Sequence, residues 1–276
     1  MNGYRELLNR HLANYKASRL GVDKPGTFRH KGIDIEYGHI LPVELRWLNL
    51  LEPFRAEIRA YLGAHPDVRP HKYFHHLNSS QAFALNLFCP FFEAGASASL
   101  LRAFQMNGSV SDWRLEHVPY AEEGTNVDVA WQGEHGSWTY CEVKLSEQGF
   151  GTAKRDQRHE EKRVSIYQPV LKAHCPAELL EPRRFFANYQ ILRNVWLVAR
   201  EPTASLLFLL PRRNESLWGP LRSVLEALPA ELAGRIHVVA VEDVLEALCH
   251  DQSLPRQLGA YAELLMEKYV PPALAG

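Results

Sequence analysis

The chain has 276 residues, 46% of them hydrophobic and 23% charged, which fits a globular domain and excludes disordered and fibrous classes. Lysine and arginine number 31 against 32 acids, for a net charge of −1, so nucleic-acid binding by bulk charge is excluded while a local basic groove is not. The four cysteines lie far apart with no Cys-x-x-Cys pair; that argues against a disulfide framework or a Cys-rich zinc module and for a reducing, cytoplasmic setting.

Tyr4, Leu7, Leu8, His11 and Leu12 recur at helical spacing, so an amphipathic helix is expected over residues 3–20. The charges in this opening stretch leave no apolar core for a signal peptide. Residues 16–31 hold Lys16, Arg19, Lys24, Arg29 and Lys31 against Asp23 alone, with a Lys-Pro-Gly break. They read as a basic arm or a solvated surface loop. A second helix is expected over 43–63, opened by Pro42 and closed by Gly63.

Asn78, Ser79 and Ser80 offer helix caps before the apolar run 82–92, which predicts a deeply buried helix. His71 and His75 stand at i, i+4, a zinc-compatible spacing on a helix, although Tyr73 and Phe74 between them suggest packing. Strands are expected at 113–120, 126–131 and 138–145, joined by connectors short enough for a meander. Helices follow at 153–172 and 182–195, a buried strand at 204–210, a helix at 216–228, a strand at 235–241, and two closing helices. The longest apolar run, Ala204 to Leu210, is far short of the ~18 residues that span a bilayer, so no membrane association is expected. The pattern predicts an α/β fold, a mixed sheet covered by helices, with residues 1–70 forming a helical extension packed on a core of residues 71–276.

The chemistry concentrates in Gly124 to Leu145. If the loop of the second hairpin is Gly133 to Ser137, Asp128 lies directly across from Glu142, and Lys144 shares their face. Val127, Val129, Cys141, Val143 and Leu145 then form the opposite, core face. Two adjacent carboxylates suit Mg²⁺, with substrate phosphate completing its shell, and a neighbouring lysine suits the attacking water or the phosphorane. A solvated sheet-face ion pair is the structural alternative, although two carboxylates side by side are unfavourable without a cation.

Asp128, thirteen residues, then Glu142-Val143-Lys144 resembles the signature of the PD-(D/E)XK nuclease superfamily. The phrases HHLNSSQAFALNLF, TNVDVAW, YCEVKLSEQGFG and NYQILRN, spanning residues 75–194, resemble a bacterial branch of restriction-type endonucleases. The resemblance implies a restriction-endonuclease-like mixed sheet flanked by helices and a Mg²⁺-dependent DNA endonuclease, with Mn²⁺ able to substitute. It further implies Asp128, Glu142 and the Val143 carbonyl as metal ligands and Lys144 serving the attacking water. DNA is the implied partner, and a homodimer would suit double-strand cutting. Val127 replaces the proline of the signature, and Ser80 and Gln81 stand where many members carry a first-helix acid. Gln168 and Gln190 lack the tyrosine four residues on that marks recombination exonucleases.

Supporting candidates are Glu147, as a second-metal ligand, a support for the first ligands, or a turn residue, and Gln190, Arg193 and Asn194 on one helix face. Gln81 is a further candidate. Lys154 and Arg155, with Arg158, Lys162 and Arg163, offer phosphate contacts, nearly cancelled by Asp156, Glu160 and Glu161. Two other functions stay open at this level: a catalytically inactive DNA-binding module on the same fold, and a nucleotide-binding protein using the turn from Gly149 to Lys154.

Overall fold

The computed structural model describes residues 3–274. A five-stranded sheet is ordered β3 (Asp112–His117), β4 (Val127–Gln132), β5 (Trp138–Val143), β6 (Ser205–Leu210), β7 (Ile236–Ala240). The first three strands pair antiparallel and the last three parallel. Between β5 and β6 the chain must cross over, because parallel neighbours cannot be joined by a tight turn. Helices supply that crossover: α5 (Gln157–Lys162), a π-turn over Arg163–Tyr167, α6 (Gln168–Leu171), α7 (Ala177–Leu180), α8 (Pro182–Ala187) and α9 (Tyr189–Arg200). The β6–β7 connection carries α10 (Glu215–Leu225) and α11 (Ala230–Ala233), and α12 (Val241–His250) and α13 (Arg256–Tyr269) follow β7. No helix among the described residues is long and apolar enough to cross a membrane.

Both faces of the sheet are covered. Val129, Trp131, Cys141, Val143, Leu145, Leu207 and Leu209 pack on one side with α1 (Gly3–Leu20), α2 (Arg55–Ala64), α3 (Ser80–Glu93), α4 (Ser97–Ala103), α12 and α13. Ala130, Tyr140, Leu206, Phe208 and Leu210 pack on the other with α6, α8, α9 and α10. Val127 joins this second cluster, contrary to the expectation from strict alternation. Glu116, the residue before Val127's partner His117, has φ +50°, and the kink there interrupts the pleat at the end of the ladder. Tyr4, Leu8 and Leu12 of α1 share one apolar cluster with the sheet.

Helix α3 begins where its cap dictates, with the Ser79 hydroxyl accepting from the Ala82 N–H at 3.3 Å. The helix expected over 43–63 is broken instead. A 3₁₀ turn covers Val43–Asn49, Leu50 and Leu51 are extended, a second turn covers Glu52–Phe54 with Pro53 inside it, and only then does α2 run. Tertiary hydrogen bonds explain the break. The Asn86 side chain accepts from the Leu51 N–H at 2.9 Å and donates to the Asn49 carbonyl at 3.0 Å, which an unbroken helix would not leave available. Lys268 Nζ donates to Asn49 Oδ1 at 2.8 Å and also to the Asn49 carbonyl, and Asn86 Nδ2 donates to the Tyr269 hydroxyl at 2.7 Å.

The expected basic arm is an antiparallel hairpin, β1 (Gly26–His30) and β2 (Ile33–Tyr37). Its two-residue turn has φ +50° at Lys31 and +83° at Gly32, the positive-φ pair that matches strand twist. Lys16 is not part of an arm: it is buried in α1, its ammonium donating to the Lys24 and Ile40 carbonyls at 2.7 and 3.1 Å. Residues 39–41 tie the hairpin's base to residues 75–77, through Leu41 N–H to the His75 carbonyl and Leu77 N–H to the His39 carbonyl. Gly26 is held against this seam, where an added Cβ would lie 2.3 Å from the Leu41 carbonyl oxygen. Gly26→Ala is therefore expected to cost about 1–3 kcal/mol, read as a lower midpoint in urea unfolding together with faster proteolytic nicking in residues 26–37.

Candidate active site

The β4–β5 register pairs Val129 with Cys141 and Gln132 with Trp138, so the hairpin loop is residues 133–137 and Asp128 stands one step beyond at the level of Glu142. The Asp128 carboxylate accepts the Val143 N–H at 2.7 Å. Glu142 is 2% exposed and Lys144 is 8% exposed, and Lys144 Nζ lies 2.7 Å from Glu142 Oε1. The strand proper ends at Val143, but Lys144 N–H still bonds the Leu209 carbonyl at 3.0 Å, which fixes the lysine's Cα beside β6.

Helix α9 reaches the same carboxylate. Gln190 Nε2 donates to Glu142 Oε1 at 2.6 Å, and Asn194 Nδ2 and Arg193 to Oε2 at 2.9 and 3.2 Å. The i, i+3, i+4 face thus grips Glu142. The expected helix 182–195 is two helices, α8 and α9, separated at Asn188, and α9 alone carries the grip. Gln190 Oε1 also accepts the Gly151 N–H at 2.7 Å, so the turn after β5 is anchored to α9. With this amide engaged, and only the six-residue α5 starting at Gln157 instead of Ala153, the Gly149 to Lys154 segment is a connector and not a phosphate cradle. Arg193→Ala is expected to cost about 3 kcal/mol in chemical denaturation, because it removes the charged donor from a buried carboxylate.

Glu116 was not among the sequence-level candidates. It falls between the Leu115–Val129 and His117–Val127 pairs of β3 and β4, at the level of Asp128. Three carboxylates, Glu116, Asp128 and Glu142, therefore form a row across three strands. Gln81 from the first turn of α3 donates to Glu116 Oε1 at 2.8 Å and to the Arg69 carbonyl at 3.0 Å. Asn126 also donates to Glu116. A register for β3 against β4 would have found this residue, but the nine-residue connector with Pro119 gives no register to read.

The charges of the row act on one another. Burial first, and the Glu142 charge second, push the Asp128 carboxyl well above its usual value, against the pull of Lys144 and the Val143 N–H. Burial would raise Glu142 too, but Lys144 and Arg193 outweigh it and hold this carboxyl below the usual range. Burial raises Glu116, opposed by the Gln81 hydrogen bond and reinforced by Glu142. Burial works to lower Lys144, yet Glu142, Asp128 and Glu147 together raise it above an ordinary lysine, so it is an ammonium at neutral pH.

Glu147 accepts the Leu145 N–H at 2.7 Å, which holds it in the turn beside the lysine. Lys154 and Arg155 are exposed on the loop before α5. Lys162 and Arg163 turn inward: Lys162 pairs with Glu123 at 3.8 Å, and Arg163 is buried against Glu160 and donates to the Leu180 carbonyl at 3.0 Å. Those two do not serve a phosphate surface. Among the described residues no group of three or more histidine, cysteine, aspartate or glutamate side chains is placed to hold a metal ion, and residues 72–75 form a turn, with His76 in an isolated bridge to Ile40, instead of the helix a His71–His75 zinc pair needs.

A cleft of about 900 Å³ opens beside the row, with Gln81, Glu116, Ser146 and Glu147 in its wall. Compared with known families, residues 9–270 match the family described as Restriction Endonuclease associating with ARP. The chain belongs to that family. No curated protein and no solved structure matches it. The family match runs from α1 to α13 and so extends on both sides beyond residues 75–194, which carry the four resembling phrases. The five-stranded mixed sheet between helical layers is the restriction-endonuclease-like fold expected from the sequence.

Proposed function

We propose that the protein is a Mg²⁺-dependent DNA endonuclease, with Mn²⁺ able to substitute, and that Asp128, Glu142 and Lys144 carry the reaction. The observation behind this reading is the carboxylate row with Lys144 lodged against it, in a chain of the restriction-endonuclease family. The donor set fits a hard cation. Asp128 offers a carboxylate oxygen and Val143 its carbonyl, Glu142 would join them on exchanging one of its four donors, and a site with two carboxylates suits Mg²⁺, which keeps waters and takes substrate phosphate for the rest. Asp128, raised by burial and by the Glu142 charge, is a carboxylate short of positive charge.

When bound, the cation supplies Lewis-acid polarisation of the scissile phosphate and an activated water for in-line attack. The chain's own groups do the positioning. Gln190, Arg193 and Asn194 fix Glu142. The Val143 N–H fixes Asp128. Lys144, held as an ammonium, donates to the attacking water or to the charge that grows on the phosphorane, and does not remove a proton. Glu116, kept in place by Gln81 and Asn126, extends the acidic row toward the cleft.

The test is cleavage of plasmid and single-stranded DNA with Mg²⁺ or Mn²⁺, wild type beside Asp128→Ala purified identically. Metal-dependent cutting by the wild type alone is expected. Equal cutting by both proteins would transfer the activity to a contaminant or to other residues. DNA binding without cutting on any substrate would favour the inactive module.

A further inference from the structure

The cleft beside the carboxylate row is far larger than a cation and a phosphate require. At about 900 Å³ it lies near the upper end of the ~300–1,000 Å³ typical of small-molecule sites. One wall is aromatic. The ring of Phe28, from β1, is 5.2 Å from Tyr73 and 5.8 Å from His76, and Tyr73 and His76 are 5.0 Å apart. All three line the cavity and are neither fully buried nor fully exposed. Their arrangement does not belong to the apolar core, whose clusters leave out Phe28 and Tyr73.

The polar groups of the cleft select the kind of occupant. Arg5 and Arg69 stand against Glu6, Glu116 and Glu147, so the cavity has no excess positive charge with which to draw a phosphate inside. A planar, uncharged group with hydrogen-bonding edges suits it better. Asn78, Ser80 and Gln81 of the wall supply polar edges, while His76, whose Nε2 is buried with no hydrogen-bond partner among the described residues, meets the cleft as a ring and not through that nitrogen. Glu116 belongs to both the cleft wall and the carboxylate row, so whatever fills the cleft is continuous with whatever is held at the row.

We propose that the cleft receives one unstacked nucleobase of the bound DNA strand, next to the phosphate held at the carboxylate row, with the base against the Phe28–Tyr73–His76 wall. The proposal rests on the nuclease reading for the position of that phosphate, and it makes the substrate a strand with an unpaired base at the cutting point. Single-stranded, mismatched or frayed DNA is then bound in preference to perfect duplex, since extruding a paired base costs unstacking energy.

The experiment uses the full chain in EDTA, without cleavage, and an oligonucleotide carrying one 2-aminopurine. Binding is followed by anisotropy and the base environment by 2-aminopurine fluorescence. Tyr73→Leu and Phe28→Leu are each expected to weaken single-strand binding about 5- to 100-fold, the range for loss of one stacking platform. Tyr73→Phe should keep wild-type affinity, and thermal unfolding confirms that each variant is folded. Unchanged affinity and fluorescence in both leucine variants would overturn the proposal. So would a free deoxynucleoside monophosphate that binds as tightly as the oligonucleotide, which would make the cleft a nucleotide pocket. Cleavage is measured separately with Mg²⁺. Ring-dependent binding without cleavage sinks the nuclease reading alone, and cleavage without ring-dependent binding sinks the base pocket alone.

Discussion

Lys144→Ala is expected to lower metal-dependent DNA cleavage by about 10³-fold while DNA affinity stays within a few-fold of wild type. The lysine lies at 8% exposure, 2.7 Å from Glu142, and is flanked by Asp128 and Glu147. A group so enclosed reaches only what sits at the carboxylate row, so its loss is felt at the reacting phosphate and not along the DNA backbone. Its protonation state sharpens the expectation. Because the three carboxylates raise its pKa, the ammonium persists through neutral and mildly alkaline pH. The wild-type rate therefore should not fall between pH 7 and 9 from loss of the lysine proton. A single-turnover pH profile checks this, and a rate that tracks deprotonation of a lysine in that window would instead make Lys144 the general base.

Asp128→Asn is expected to abolish cleavage and at the same time raise the stability of the metal-free protein. Asparagine keeps an oxygen for the Val143 N–H but removes one of two facing negative charges. Each kcal/mol so gained corresponds to about 2–4 °C in the melting temperature of a domain this size, and a rise of about 3 °C is expected. The sign with pH follows from the raised carboxyl. A group whose folded pKa lies above its unfolded value stabilises the fold fully at low pH and loses that contribution as pH rises through the folded value. Without metal, wild type should lose stability relative to Asp128→Asn as pH is raised from the ordinary aspartate range upward. Added Mg²⁺ should stabilise wild type progressively more over the same interval and leave the variant unmoved. Denaturant melts at several pH values, with and without Mg²⁺, measure both; a variant less stable than wild type at every pH would show that the carboxylate's hydrogen bond matters more than the repulsion.

Much of this site is legible because a short loop fixes a register. Five residues between Gln132 and Trp138 leave one way to align β4 with β5, and the alignment brings Asp128, Glu142 and Lys144 together. The face of α9 with Gln190, Arg193 and Asn194 was equally readable from helical spacing, although not its target. Glu116 was hidden because the connector before β4 is long and irregular. The hairpin was hidden because its turn places Lys31 at positive φ, a conformation usually signalled by asparagine or glycine. The break at Leu50–Leu51 depends on Asn86, thirty-five residues later, and no local pattern records a partner that distant.

The pairing of Lys268 and Tyr269 with Asn49 and Asn86 has a consequence for the order in which the chain matures. Helix α13 is also where α1 docks, through His11 Nε2 to the Glu267 carbonyl at 2.9 Å and the Arg19–Glu267 ion pair. On the ribosome, therefore, the α13 part of α1's seat is made some 250 residues after α1 itself, whereas its partners at Lys24, Ile40 and Asn78 are made much sooner, and the segment around Asn49 waits for the same helix. The β3–β4–β5 meander can pair long before that. The strands that carry the carboxylate row are thus made before α9 can grip Glu142, and the α13 contacts of α1 are among the last partners to be made.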